Sequence, residues 1–160
     1  MQRLVMATLL FLIVGCASVG ERAPNPDEGV DWFVWRNQSV QRVAPPPAMM
    51  ASTWLSRLSE EQMVATPTRV QIATAQPIGA AERAQPGAVI LEGRVLEDGR
   101  LVWRVLSVSA RGWYFEDAAI RVGSLYRAPR QFPDGRSTLG ASFVTVIGFT
   151  NVLPDPVLFE

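Results

Sequence analysis

From Ala88 to Leu96 the chain alternates. Val89, Leu91, Gly93 and Val95 fall on one face and Ile90, Glu92, Arg94 and Leu96 on the other, the period of a β-strand. Glu97-Asp98-Gly99-Arg100 follows, and Asp-Gly between two strands predicts a hairpin because glycine supplies the positive φ that such turns require. Leu101 to Val108, rich in Val, Leu and Trp, is the returning strand. After Arg111-Gly112 the period changes: Phe115, Ala118, Ala119, Val122 and Leu125 recur at helical spacing, one apolar stripe that must face a core. Pro129 prevents its continuation. Asp134-Gly135 marks another turn, and Ala141 to Phe149, with Phe143, Val144, Val146, Ile147 and Phe149, is a third strand.

The order strand-strand-helix-strand sets a topology. The first two strands pair as a hairpin, and a right-handed crossover through the helix lays the third strand parallel to the second and antiparallel to the first. The expected fold class is α+β: a small three-stranded antiparallel sheet in the order 2-1-3, one helix packed on one face, and a short N-terminal helical segment. The third strand is then an edge unless upstream chain covers it. An uncovered edge offers unpaired amides and carbonyls to a partner strand.

Upstream the signals are weaker. Residues 52–66 read as one or two helical turns, with Ser59-Glu60-Glu61-Gln62 matching a capping box and a helix starting near Glu60. Arg69 to Thr74 alternates like a strand through Val70, Ile72 and Thr74, which makes residues 67–75 the candidate cover for the edge. Gly79 to Gln85 is Ala-rich and compatible with a helical turn. Residues 17–30 are short of large apolar groups, Asp31 to Arg36 is an aromatic cluster awkward in solvent, and Pro45-Pro46-Pro47 reads as polyproline II. The expected division is a signal segment over 1–15, a flexible tether over 16–50 whose Trp cluster docks on the domain or on a partner, a domain over 51–150 with its core in 81–150, and a tail over 151–160.

Cysteine usage changes the picture. Cys16 is the only cysteine among 160 residues, and it ends the run Leu9-Leu10-Phe11-Leu12-Ile13-Val14-Gly15 behind a single early charge, Arg3. Aliphatic-x-Gly-Cys at Ile13 to Cys16 is a lipobox, in which a small residue precedes the scissile bond and the thiol takes a diacylglyceryl thioether. The apolar run is too short for a spanning helix, which needs about 20 residues. A signal anchor and a cleaved, unlipidated signal are the competing readings. The expectation is an acylated Cys16 holding the protein to the membrane by lipid on the periplasmic side of the cell envelope. Ala17 follows the cysteine in place of Asp, which in many Gram-negative bacteria permits delivery to the outer membrane, the expected location.

Charge narrows the chemistry further. The 15 basic residues are all Arg, 15 acidic residues balance them, and there is no Lys or His. Clustered excess positive charge is missing, so no nucleic-acid partner is expected. Without His, Lys or a free thiol, His-based triads, His metal sites, thiolate ligands and Schiff-base chemistry fall away. No cofactor, metal or small-molecule substrate is expected. The one candidate acid pair, Glu116-Asp117, sits where the first turn of a helix favours negative charge, so a non-enzymatic protein is the expectation. Trp103, Trp113 and Tyr114 are aromatic candidates either for a binding face or for core and sheet cover.

Six stretches add a resemblance. Gly87-Ala88-Val89-Ile90-Leu91 precedes a basic-apolar strand, Asp98-Gly99-Arg100-Leu101 stands at the hairpin, and Phe115-Glu116-Asp117-Ala118-Ala119-Ile120 opens the helix. Tyr126-Arg127-Ala128-Pro129 follows the helix, and Asp134-Gly135-Arg136 leads to Val144-Thr145-Val146-Ile147-Gly148-Phe149. Over 81–150 this resembles the C-terminal domain of the TonB energy-transducer family. The resemblance implies capture of a short extended segment of an outer-membrane transport protein or other envelope protein by strand addition at the last strand. The partner-binding candidates are then Phe143, Val144, Thr145, Val146, Ile147 and Phe149, with Arg127 and Arg136 either meeting a partner's carboxylates or solubilising a loop. The alternative is a structural envelope lipoprotein in which the TonB-like fold is only a scaffold.

Overall fold

The computed structural model describes residues 30–45 and 56–150. Six strands, β1 (Trp32–Arg36), β2 (Ser39–Val43), β3 (Arg57–Leu58), β4 (Gly87–Val95), β5 (Leu101–Val108) and β6 (Ser142–Phe149), form one sheet in the order β2-β1-β5-β4-β6-β3. Among the described residues three α-helices accompany it: α1 (Arg69–Ala75), α2 (Ile78–Glu82) and α3 (Phe115–Gly123). The expected three-stranded antiparallel sheet with one helix is therefore wrong. The sheet has twice the strands and is mixed, because β3 runs parallel to β6 while the other pairs are antiparallel. The α+β class stands.

Two of the three extra strands, β1 and β2, come from the segment that composition assigns to a tether, and the third, β3, from the stretch 52–66 expected to form helical turns. Asn37 and Gln38, at φ 47° and 62°, form the two-residue primed turn whose twist suits a hairpin, and they join β1 to β2. Phe33 pairs with Trp103, adding this hairpin to the outer side of β5. The aromatic cluster thus docks on the domain, and the tether expected over 16–50 is interrupted by two strands. At the other end β3 pairs with only Ser142 and Phe143. Residues 69–75, whose alternation suggests a strand, are helical instead. Thr68 accepts the Gln71 N–H and its own N–H donates to Gln71 Oε1 at 2.8 Å, a capping box that decides the conformation against the period-2 pattern. The expected box at Ser59 forms too, with the Ser59 N–H donating to Gln62 Oε1 at 2.9 Å over a single 3₁₀ turn, Glu60–Gln62.

The core lies between one sheet face and α3. Val89, Leu91 and Val95 of β4, Leu101 and Trp103 of β5, and Phe143, Ile147 and Phe149 of β6 meet Phe115, Ala118, Ala119 and Val122 of the helix. Phe115 stacks on Phe149 at 5.5 Å between ring centroids. A Cβ at Gly87 would meet the Phe115 ring at 2.3 Å, so β4 needs a residue without a side chain there. Burying each large apolar side chain contributes about 1.5–3 kcal/mol, so this face carries most of the fold's stability. Glu116 and Asp117 occupy the first turn of α3, where they complement the helix dipole. Among the described residues no helix is long and apolar enough to cross a membrane. Cys16, the signal segment over 1–15, Pro46, Pro47 and the tail over 151–160 lie outside the described residues.

Candidate functional site

β6 uses its two margins unequally. Along the inner margin it pairs with β4 from Ser142↔Arg94 to Phe149↔Gly87. Along the outer margin β3 occupies Ser142 and Phe143, where the Ser142 N–H donates to Ser56 O at 3.3 Å. The Ala141 carbonyl, by contrast, accepts from the Val95 N–H on the β4 side. Backbone direction alternates along a strand, so the even residues of β6 turn their N–H and C=O outward. Those of Val146 and Gly148 have no partner strand among the described residues.

Side chains alternate with them. Phe143, Ile147 and Phe149 point into the core and are at most 2% exposed, whereas Val144 and Val146 on the opposite face are 40% and 61% exposed. Ile90, the cross-strand neighbour of Val146, is 37% exposed. These three form an apolar surface beside the open margin, and a Cβ at Gly148 would meet nothing within 4 Å. Of the partner-binding candidates, Val144 and Val146 present both side chain and strand to this face. Phe143, Thr145, Ile147 and Phe149 face inward, at most 9% exposed.

Thr145 ties the strand to the helix layer. Its hydroxyl lies 3.3 Å from the Tyr126 hydroxyl, which in turn reaches Glu60 Oε1 at 3.4 Å. Burial pushes the Tyr126 phenol above its ordinary pKa, and the nearby Glu60 carboxylate adds to the shift while the Thr145 hydrogen bond partly offsets it.

The two arginine candidates are engaged in their own turns. Arg127 Nη1 donates to the carbonyls of Ser124 and Tyr126 at 2.6 and 2.7 Å, capping the C-terminal end of α3. Arg136 Nε donates to Asp134 Oδ2 at 2.7 Å and its guanidinium lies 5.5 Å over the Phe132 ring. The Arg136 backbone N–H and guanidinium hold the Asp134 carboxyl below the usual carboxylate range. Trp103 is core, Trp113 is half-buried beneath Arg83 at 5.4 Å, and Tyr114 is 73% exposed with φ 58°.

Sequence reasoning missed a charged cluster on the face away from α3. Glu92 of β4 sits opposite Arg104 of β5 and ion-pairs with its Nη2, while Arg94 Nε lies 3.5 Å from Glu92 Oε1. Both guanidiniums are 5.6 Å from the centroid of the Trp32 ring, which is fully buried. Glu92 and Arg94 stand two apart on a strand and so share a face, which was the available signal; nothing local marked Trp32 as their cover. Chemically the cluster is an ion-paired clamp that fastens the β1–β2 hairpin to the sheet and stiffens the surface next to Ile90 and Val144. Among the described residues no group of three Asp, Glu, Cys or His side chains is placed to hold a metal ion.

Compared with protein-family models, with curated proteins and with solved structures, the chain matches none.

Proposed function

We propose that this chain is a non-enzymatic envelope lipoprotein, held by lipid on Cys16 at the periplasmic side of the outer membrane, that captures an extended segment of an outer-membrane transport protein or other envelope protein by strand addition along β6. The observation that carries this reading is the open margin itself: outward backbone groups at Val146 and Gly148 beside the exposed Ile90, Val144 and Val146. The lipobox over Ile13 to Cys16 supports the anchor, and the TonB-like stretches over 81–150 support the class of partner.

Magnitudes say what such a partner must look like. Two outward residues offer roughly four backbone hydrogen bonds at about 1 kcal/mol net each, less than association costs in lost freedom. Apolar contact must supply the rest. The incoming segment therefore alternates, placing every second side chain over Ile90, Val144 and Val146. Because β3 fills the lane at Ser142 and Phe143, only the stretch alongside 144–149 remains for it.

A second reading, a scaffold that binds no transporter, is favoured by β3 already occupying part of this margin. Capture separates the two. Immobilised protein incubated with detergent-solubilised outer membranes recovers a transport protein on the first reading and nothing specific on the second. Val146→Pro removes an outward N–H while leaving the ladder to β4, the one setting in which a strand tolerates proline. Unchanged capture by a folded V146P would overturn strand addition. A bare thiol at Cys16 in mass spectra of the purified protein would overturn the anchor.

A further inference from the structure

A cleft of about 210 Å³ opens at the far end of the sheet from β6, between β1, the β4–β5 turn and the C-terminal end of α3. Three arginines line it from three separate elements: Arg36 ends β1, Arg100 precedes β5, and Arg127 follows α3. Its apolar wall is Val34, Trp35, Leu96 and Leu101, and no Asp or Glu belongs to the lining. In a chain with zero formal net charge, this is a local excess of positive charge against a hydrophobic wall.

The three cations are not equally committed. Arg127 is fixed by the carbonyls of Ser124 and Tyr126, and Arg100 shares its Nε with the Asp98 carboxylate. Burial alone would raise that carboxyl, but the Arg100 backbone N–H and guanidinium outweigh it and hold Asp98 below the usual range. The Arg36 guanidinium has no hydrogen bond or ion pair among the described residues. Trp35 itself is held by Arg121, whose guanidinium lies 5.2 Å over the ring, so the wall is firm before anything binds.

We infer that this cleft binds a small organic carboxylate with a compact apolar body, independently of any strand added at β6. Guanidinium is the side chain whose planar fork fits a carboxylate in two hydrogen bonds, and Arg36 supplies the uncommitted fork. The apolar wall of Val34, Trp35, Leu96 and Leu101 gives a carboxylate with an apolar body a contact that inorganic phosphate cannot make, so such a carboxylate fits better than phosphate. The volume lies below the roughly 300 Å³ at which sites for drug-sized ligands begin, which limits the body to about a single ring or a short acyl chain.

Calorimetric titration of the full-length protein at fixed ionic strength tests this with three probes: benzoate, benzyl alcohol and inorganic phosphate. Benzoate binds saturably, benzyl alcohol and phosphate do not, and Arg36→Gln weakens benzoate at least tenfold while Arg69→Gln, on α1 away from the cleft, leaves it unchanged. Should R36Q melt early, Arg100→Gln serves in its place with the same expected loss. The inference is overturned by no saturable benzoate binding, by phosphate binding in preference to benzoate, or by equal affinity in R36Q and the parent.

Discussion

Gly123 abuts Trp103 so closely that a Cβ at position 123 would lie 2.8 Å from Cε2 and 3.0 Å from Nε1 of the indole. On the other side Gly93 leaves the same ring its room, since a Cβ there would stand 2.7 Å from Cζ3. The indole is 1% exposed and bounded by Tyr126 and Phe143, at 5.8 and 6.3 Å between centroids, so it has nowhere to retreat. Gly123→Ala therefore overpacks the core at a cost of about 1–3 kcal/mol, partly offset by the gain of up to about 1 kcal/mol from alanine's helix propensity. Urea denaturation should show a lower midpoint, and Trp103→Phe in the same chain should relieve it. A G123A midpoint equal to the parent would mean that α3 shifts freely on the sheet.

Glu92 gives a second expectation. Its side chain is 9% exposed and serves both Arg94 and Arg104, so Glu92→Gln leaves like charges facing each other in a site with little water. Removing one partner of a buried pair costs about 3–5 kcal/mol. The exposed Arg42–Asp31 pair, with side chains 73% and 47% exposed, is the control, and Arg42→Gln should change stability by less than about 1 kcal/mol. If the two variants unfold at the same urea concentration, the Trp32 clamp contributes nothing beyond its packing.

How much of this was legible depended on whether the deciding contact was local. β4 and α3 announce themselves because period 2 and period 3.6 are written in adjacent residues, β5 and β6 because they are dense in Val, Ile, Leu and aromatic residues, and Asp98-Gly99 supplies the turn. The β1–β2 hairpin was hidden by its turn: Asn37 suits a positive φ, but Gln38 is not the glycine that would have flagged a primed turn. β3 carries no signal of its own. Two residues become a strand only because the Ser142 N–H reaches Ser56 across 86 positions of chain. Topology predicts β6 as the edge strand, but β3 flanks it at Ser142 and Phe143, so only part of its outer margin is open, and which of its residues face outward required the register of β6 against β4. The Trp32–Arg94 and Trp32–Arg104 contacts join segments 62 and 72 residues apart in sequence, beyond any periodicity.

Residues 69–75 give a third test, because a helix and a strand respond differently to loss of a cap. Thr68 closes its box with Gln71 at the start of α1. Thr68→Ala should cost about 1 kcal/mol and Thr68→Ser almost nothing, since serine keeps the accepting hydroxyl. Equal stability of all three chains would return this stretch to an uncapped, non-helical conformation.

Tyr126 makes the alkaline limit of the fold unusually easy to read. The chain has two tyrosines and no lysine, so few groups other than phenols change charge between about pH 9 and 11. Burial raises the folded Tyr126 phenol above the ordinary value of 10.0. Below that value the phenol is protonated in both folded and unfolded chains, and the fold keeps its full stability. Above it the unfolded chain releases a proton that the native state still holds, and stability falls as pH rises through the interval up to the folded pKa. Urea midpoints measured from pH 8 upward should therefore be level and then drop. Tyr126→Phe should begin lower, by about 1 kcal/mol for the lost hydroxyl contact with Thr145, and decline less steeply. An equally steep decline in Y126F would place the alkaline sensitivity in another group.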